Sequence, residues 1–374
     1  MSINKERLLN EFNKLISFDS PSFYEDEIAN YLFNKLESLG LEVYMDNAIN
    51  KLTGRSTNAG NIYACLKGNI KGGPILLSAH LDTVEPSKNK KAIIENGIVK
   101  SSGNSVLGSD DVTGICEILE ALEVIKEKNL DHKDIEVVFF VAEEPFCKGS
   151  SVFDYSRIKS KEAYVFDLHG KVGNIAVSAP SIFTFNVNII GKAAHAGFEI
   201  EKGVSSILIA SNAISKIKPG RLSKNLTINI GTINGGVLKN VVPEVTNIVG
   251  EVRSTNRDAG LKLLEKVKET FINEANKLNG KIEFSIEENV SAYKINKSSK
   301  VIKDYLKVVN KLGYSDIEFI DTFGGSDNNN LNKHGISGVV LANAMNSIHT
   351  TNEYFELDEF YKAALICLGL VTTK

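Results

Sequence analysis

The segment Ile135-Glu-Val-Val-Phe-Phe-Val-Ala142 is almost uninterrupted apolar chain. A strand that is apolar at both odd and even positions must be covered on both faces. Further strands are predicted at Leu41 to Met45, Asn61 to Lys67, Pro74 to Ala79, Ala163 to Phe166, Ile317 to Ile320 and Gly338 to Leu341. Helical periodicity lies between and around them. Tyr24 to Leu39 places Ile28, Leu32, Leu36 and Leu39 on one stripe and stops at Gly40, and Gly114 to Lys128 does the same with Ile115, Ile118, Leu119, Leu122 and Ile125. Ser299 to Leu312 and Leu357 to Val371 read as closing helices. Helices alternating with such strands imply an α/β fold, with a mainly parallel central sheet and helices on both faces.

The pattern changes after Gly173. From Ile182 to Ile190, Phe183, Phe185, Val187 and Ile189 alternate with a more polar set. A helix near Gly203 to Ile217, strands at Leu226 to Thr232 and Thr246 to Arg253, a helix near Gly260 to Leu278 and a strand at Lys281 to Glu287 complete a β-α-β-β-α-β order. At 374 residues the chain is longer than one core usually organises. The expected division is a catalytic domain made of residues 1–178 and 291–374, interrupted by a ferredoxin-like α+β domain at 179–290.

Each apolar strand runs into acidic or imidazole groups. His80 and Asp82 are two residues apart after Pro74-Ile-Leu-Leu-Ser-Ala, a spacing that puts both on one side of extended chain. Asp110 and Asp111 precede the Gly114 helix, Glu143 and Glu144 follow the Ile135 run, Asp167 ends Tyr164-Val-Phe, and His349 lies beyond Gly338 to Leu341. Taken singly these have ordinary explanations: His80 a hydrogen-bonded turn residue, Asp110 a helix cap, Asp167 a strand-end polar group. In an open parallel sheet, however, the carboxyl ends of the strands share one crevice. Clustered carboxylates repel and lose hydration unless a cation joins them, so the joint reading is a metal centre. Nitrogen and oxygen ligands suit Zn²⁺, Co²⁺ or Mn²⁺.

The segments Ser-Ala-His80-Leu-Asp82-Thr-Val, Leu-Gly-Ser-Asp110-Asp111, Glu143-Glu144, Phe-Asp167, Gly191-Lys-Ala-Ala-His195-Ala-Gly197, Gly324-Gly-Ser-Asp327 and His349-Thr resemble, in order and spacing, the M20 metallopeptidase family, and within it the peptidase T-like branch of tripeptide aminopeptidases. The resemblance spans almost the whole chain, including the inserted domain. It implies a two-domain zinc exopeptidase architecture with two Zn²⁺ ions, Asp110 bridging them, His80 and Asp167 completing one site and Glu144 and His349 the other. Asp82 would orient His80 from behind, and Glu143 would be the general base. His195 would stabilise the oxyanion, and Asn240, Arg253, Gly325 and Asp327 would contact substrate. The reaction implied is hydrolysis of short peptides from the amino end. Carboxypeptidase, dipeptidase and N-acyl amino acid deacylase activities are alternatives on the same machinery, and a non-catalytic metal- or peptide-binding protein is a remote one. The family pattern also implies a homodimer formed through the inserted domain.

Two stretches depart from that pattern. Val112 and Thr113 follow Asp111 where a lysine or another polar residue is common, and Pro145-Phe146-Cys147 stands where a glycine commonly follows the acidic pair. Neither removes a ligand or the base; both bear on substrate preference.

Forty-three Lys and Arg against 46 Asp and Glu give a net charge of -3, which makes no case for nucleic acid. No stretch nears the ~20 apolar residues of a membrane span, and the first ten residues are amphipathic rather than a signal-peptide run. Cys65, Cys116, Cys147 and Cys367 form no close pair. A cytoplasmic enzyme is the expectation.

Overall fold

The computed structural model describes residues 2–373. The chain divides into two compact units: Ala179–Tyr293 with Phe323–Gly325 forms one, and the rest of the described chain forms the other.

The larger unit is built on a mixed sheet. Its strand order is Glu42–Met45, Ile62–Leu66, Ile135–Phe140, Ile75–His80, Glu162–Leu168, Ser337–Ala342 and Ile175–Ala179, with the short Tyr293–Lys294 at the end and Phe319–Asp321 also pairing with Ile175–Ala179. Ile135–Phe140, Ile75–His80, Glu162–Leu168 and Ser337–Ala342 are mutually parallel, while the first two strands and Ile175–Ala179 join antiparallel. Their carboxyl ends therefore open on one edge, with His80 in register with Phe140.

Both faces of this sheet are filled. Leu76, Val138, Phe140, Ala163, Val165 and Val340 pack with Phe153, Ile158, Leu331 and Ile336 on one side. The alternate residues Leu77, Val137, Phe139, Tyr164 and Phe166 are equally buried. The helix Ser109–Lys128 lies against Ile75–His80 and Glu162–Leu168 and is itself covered by the helices Lys5–Ile16 and Leu357–Thr372. It is thus buried well beyond its apolar stripe, which takes Glu117 and Glu120 inside as well. Glu120 is answered by Arg7 at 2.7 Å; neither carboxyl oxygen of Glu117 has a hydrogen-bond partner.

The inserted unit is a five-stranded antiparallel sheet, Gly220–Ser223, Leu226–Gly235, Val245–Ser254, Ser181–Ile190 and Lys281–Val290. Phe183, Phe185, Val187 and Ile189 all face a core shared with Ile209, Ala213, Leu264, Val267 and Phe271 from the helices Ser206–Ile217 and Arg257–Lys277. The predicted alternation is therefore the buried face of this sheet. The short strand Gly220–Ser223, exposed at every residue, extends it beyond the simple β-α-β-β-α-β plan.

Two further features were not predicted. Ile175–Ala179 is a strand separated from Ser181–Ile190 by Pro180 alone. A four-stranded sheet also joins the hairpin Ala92–Glu95 and Ile98–Ser101 to Tyr354–Glu356 and Met345–Asn346.

Candidate metal centre

The larger unit brings His80, Asp110, Glu144, Asp167 and His349 together. His80 ends its strand, and its Nε2 lies 3.0 Å from Asp110 Oδ1. The other oxygen of Asp110, Oδ2, lies 3.1 Å from Nε2 of His349. That same nitrogen is 3.1 Å from Glu144 Oε2, and Asp167 Oδ1 is 3.9 Å from His80. One carboxylate thus faces two imidazoles, and each imidazole has a second carboxylate beside it. Ligand atoms of His80, Asp110 and Glu144 all fall within 4.8 Å of one another, as do those of His80, Asp111 and Asp167.

Asp111 has other partners. Its carboxylate accepts from the His80 N–H at 3.2 Å, the Gly114 N–H at 3.3 Å and the Asn343 amide at 2.6 Å. It fastens the strand end to the helix start, which leaves Asp110 as the carboxylate between the histidines. The backbone at both aspartates is non-helical, so regular helix begins after them.

Asp82 is fully buried and within 3.4 Å of His80 Nδ1, but its own carbonyl is closer to that nitrogen, at 2.9 Å. The Asp82 carboxylate chiefly accepts from the N–H groups of Glu143 at 2.9 Å and Glu144 at 3.1 Å and from the Ser22 hydroxyl at 2.6 Å. It therefore orients the glutamate pair as well as the histidine. Glu143 itself is buried, and its Oε1 accepts from the Cys147 thiol at 3.3 Å.

Electrostatics follow from this crowding. Burial opposes charge on Asp110, but the hydrogen bonds of His349 and His80 outweigh it and hold Asp110 below the ordinary carboxylate range. Burial, and then the charge of Asp167, push Glu143 well up; burial, partly offset by His80, does the same to Asp167. His349, bonded to Asp110 and Glu144, is pushed up to about 10. Among the described residues, the ion-pair partners of Asp110, Glu144 and Asp167 are histidines alone. Glu144 Oε1 is buried without a hydrogen-bond partner. Carboxylates in excess, imidazole nitrogens among them and an orphaned buried oxygen are a donor set that fits divalent zinc, cobalt or manganese.

Asp327 lies in the same unit, 2% exposed, with Oδ1 unpartnered, and burial pushes it up to about 7. His195, Asn240, Arg253 and Gly325 belong to the inserted unit. His195 is exposed, and its Nδ1 accepts from the Gly197 N–H at 3.1 Å, which puts its own hydrogen on Nε2 in the neutral ring. Asn240 is exposed and Gly325 half-buried. Arg253 is already engaged. Its Nε and Nη2 meet Glu251 at 2.6 and 3.1 Å, and Nη1 donates to the Phe323 carbonyl at 2.9 Å.

Sequence reasoning missed Glu353. It is 1% exposed, and its carboxylate accepts from the N–H groups of Leu107 at 2.7 Å, Gly108 at 2.8 Å and Asp110 at 2.9 Å and from the Ser109 hydroxyl at 2.6 Å. The only local signal was an acidic residue shortly after His349. The Phe146 and Cys147 departure takes left-handed backbone, with φ of 68° and 55°, where a glycine would be unstrained.

The model of peptidase family M20/M25/M40 matches residues 76–373. An uncharacterized Bacillus subtilis protein, YqjE, is 37% identical over 369 residues, 99% of this chain and 98% of its own. An aminopeptidase, PepT, from Bacillus cereus has a crystal structure 36% identical, covering 99% of this chain and 98% of that one, with a TM-score of 0.90. The structure of a tripeptidase from Staphylococcus aureus is 33% identical, covers 100% of this chain and 99% of that one, and has a TM-score of 0.93.

Proposed function

The chain belongs to peptidase family M20/M25/M40, and from that premise we propose that it is a metal-dependent aminopeptidase that removes residues from the amino end of short peptides, tripeptides foremost. The observation that carries the reading is Asp110, whose two oxygens each face a different histidine. We assign two zinc ions, with cobalt or manganese as the alternatives: His80 and Asp167 hold one, Glu144 and His349 the other, and Asp110 both. Ions so held supply Lewis acidity toward a peptide carbonyl and make water more acidic.

The chain's own residues do the rest. Glu143, kept in place by the Asp82 carboxylate at its N–H and by the Cys147 thiol at Oε1, takes the proton from the attacking water and returns it to the leaving amine. His195 would offer Nε2–H to the oxygen that becomes negative, from its own subunit or across a dimer. Asp327 would answer the substrate ammonium. Asn240, Gly325 and Arg253 would hold the rest of the peptide, the last only so far as its bond to Glu251 allows.

The exposed apolar residues of the inserted unit, Ile207, Leu208, Ile233, Val237 and Leu238, support a homodimer through that unit. The described residues include no helix long and apolar enough to cross a membrane. The four cysteines are unpaired, which supports a reducing, cytoplasmic setting.

The test is a zinc-loaded panel of di- and tripeptides with free, N-acetylated and C-amidated ends. Cleavage of free tripeptides with loss on N-acetylation is expected. Turnover of the acetylated forms instead would replace aminopeptidase with deacylase or carboxypeptidase chemistry.

A further inference from the structure

Met345–Asn346 and Tyr354–Glu356 pair as a hairpin, and His349 sits in the loop that joins them. Ser347 and His349 both take left-handed backbone, with φ of 51° and 61°. The imidazole is half exposed, and the side chains that meet its Nε2 are Asp110 and Glu144. A ring presented in this way from a loop needs its loop fixed from elsewhere.

It is fixed at both ends, and at both ends to the same dipeptide. Just before the hairpin, the Asn343 amide donates to Asp111 Oδ1 at 2.6 Å and to the Phe166 carbonyl at 2.8 Å. At the last residue of the loop, Glu353 receives the Asp110 N–H together with three donors from Leu107 to Ser109. Those donors lie at the entry to the Ser109–Lys128 helix, ahead of the point after Asp111 where regular helix begins, and buried N–H groups there need an acceptor. A nearby Ser or Asp ordinarily fills that role. Here the carboxylate comes from 243 residues downstream of Asp110, four residues after His349. Burying a carboxylate is costly unless it is fully bonded, and Glu353 is bonded through both oxygens.

Building on the two-ion reading given under Proposed function, we propose that Asn343 and Glu353 form a clasp that holds the His349 loop to Asp110–Asp111 and thereby sets the metal affinity of the Glu144–His349 position. They are positioning residues: each acts through the backbone or carboxylate of this dipeptide. Asp110, which the clasp also holds, serves both positions, but the loop carries His349 alone among the proposed ligands, so the Glu144–His349 position depends on the clasp more. His80 and Asp167 sit on parallel strands inside the sheet.

The experiment is a free-zinc titration of Glu353→Gln, Asn343→Ser and His349→Ala. Bound metal is read by inductively coupled plasma mass spectrometry, and the melting curve of each metal-free protein is recorded. The expected result for both clasp variants is a second zinc equivalent bound about 10–100-fold more weakly, with the first weakened less. Should Glu353→Gln not fold, Asn343→Ser carries the test. Wild-type affinity for both equivalents in the clasp variants, or equal weakening of both, overturns the clasp. His349→Ala separates the two levels of inference: if it keeps both equivalents, the ligand assignment itself fails; if it loses one while the clasp variants lose none, only the clasp fails.

Discussion

The larger unit buries most of its candidate groups, with His349 the half-exposed exception, whereas the inserted unit leaves His195 and Asn240 at the surface. His80, Asp82, Asp110, Asp111, Glu143 and Glu353 are all 9% exposed or less, and nearly every one has two or more named partners. His195 and Asn240 are exposed, and Arg253 is tied to its neighbour Glu251. The contrast follows from the sheets. Parallel strands covered on both faces release polar groups only at their ends, so those groups collect, desolvated, in one place. In the inserted unit Arg253 lies on a strand, while His195 and Asn240 lie in the segments between strands. Buried groups are held rigidly enough to do chemistry, and exposed ones are free to meet substrates of varied shape.

The sharpest challenge to that contrast is Glu143→Gln. If the buried unit carries the proton transfer, kcat falls about 100- to 10,000-fold while metal content, measured on the same sample, stays at the wild-type level. Metal lost along with activity would make Glu143 part of the ligand set. The division of labour between Glu143 and Glu144 would then collapse.

Burial in the larger unit also has a cost, and Glu117 exposes it. This side chain is 0% exposed, its oxygens have no partners, and burial pushes its pKa well above the usual carboxylate range. In the unfolded chain it ionises near ~4.3. Below that pH both states are protonated and its contribution is greatest. As pH rises toward the folded-state value, the folded state holds a proton that the unfolded state has released, so stability falls. Glu117→Leu is expected to stabilise the metal-free protein by about 1–3 kcal/mol near neutral pH and to flatten the decline in denaturant midpoint above pH ~5. A variant less stable than wild type would mean that the carboxyl has a partner in solution.

The same contrast explains what could be read from the chain. Ile135–Phe140 and Ile75–His80 were legible because two-sided burial leaves an unbroken apolar run, and the alternation of Phe183, Phe185, Val187 and Ile189 because one-sided burial leaves period two. The convergence of His80, Glu144 and Asp167 followed from their common place at the ends of parallel strands, whereas Asp110 comes from the entry to the Ser109–Lys128 helix and His349 from a hairpin loop. Ile175–Ala179 was hidden because Pro180 alone separates it from the next strand, with no cluster of turn residues between. The Ala92–Glu95 and Ile98–Ser101 hairpin did offer a signal in Asn96-Gly97, both at positive φ, but its strands are short and the first is largely exposed. Glu353 was invisible for a different reason. Most of its donors are backbone N–H groups far away in the chain, and backbone groups leave no mark in composition.

Arg253 gives the finest test of the comparison, because its residue type and its surroundings point in opposite directions. An arginine fork suits a peptide carboxylate, yet this fork already spans Glu251 and the Phe323 carbonyl. An incoming carboxylate would have to displace Glu251, so the net gain is that of one partly exposed ion pair exchanged for another. Such pairs are worth about 0–1 kcal/mol. Arg253→Ala should accordingly raise KM for a free tripeptide by no more than about fivefold, with kcat little changed. Glu251→Gln, which releases the fork, should lower KM by a similar factor, and that gain should vanish when Arg253 is also removed. A much larger loss in Arg253→Ala alone would show that the inserted unit holds its substrate as firmly as the larger unit holds its ligands.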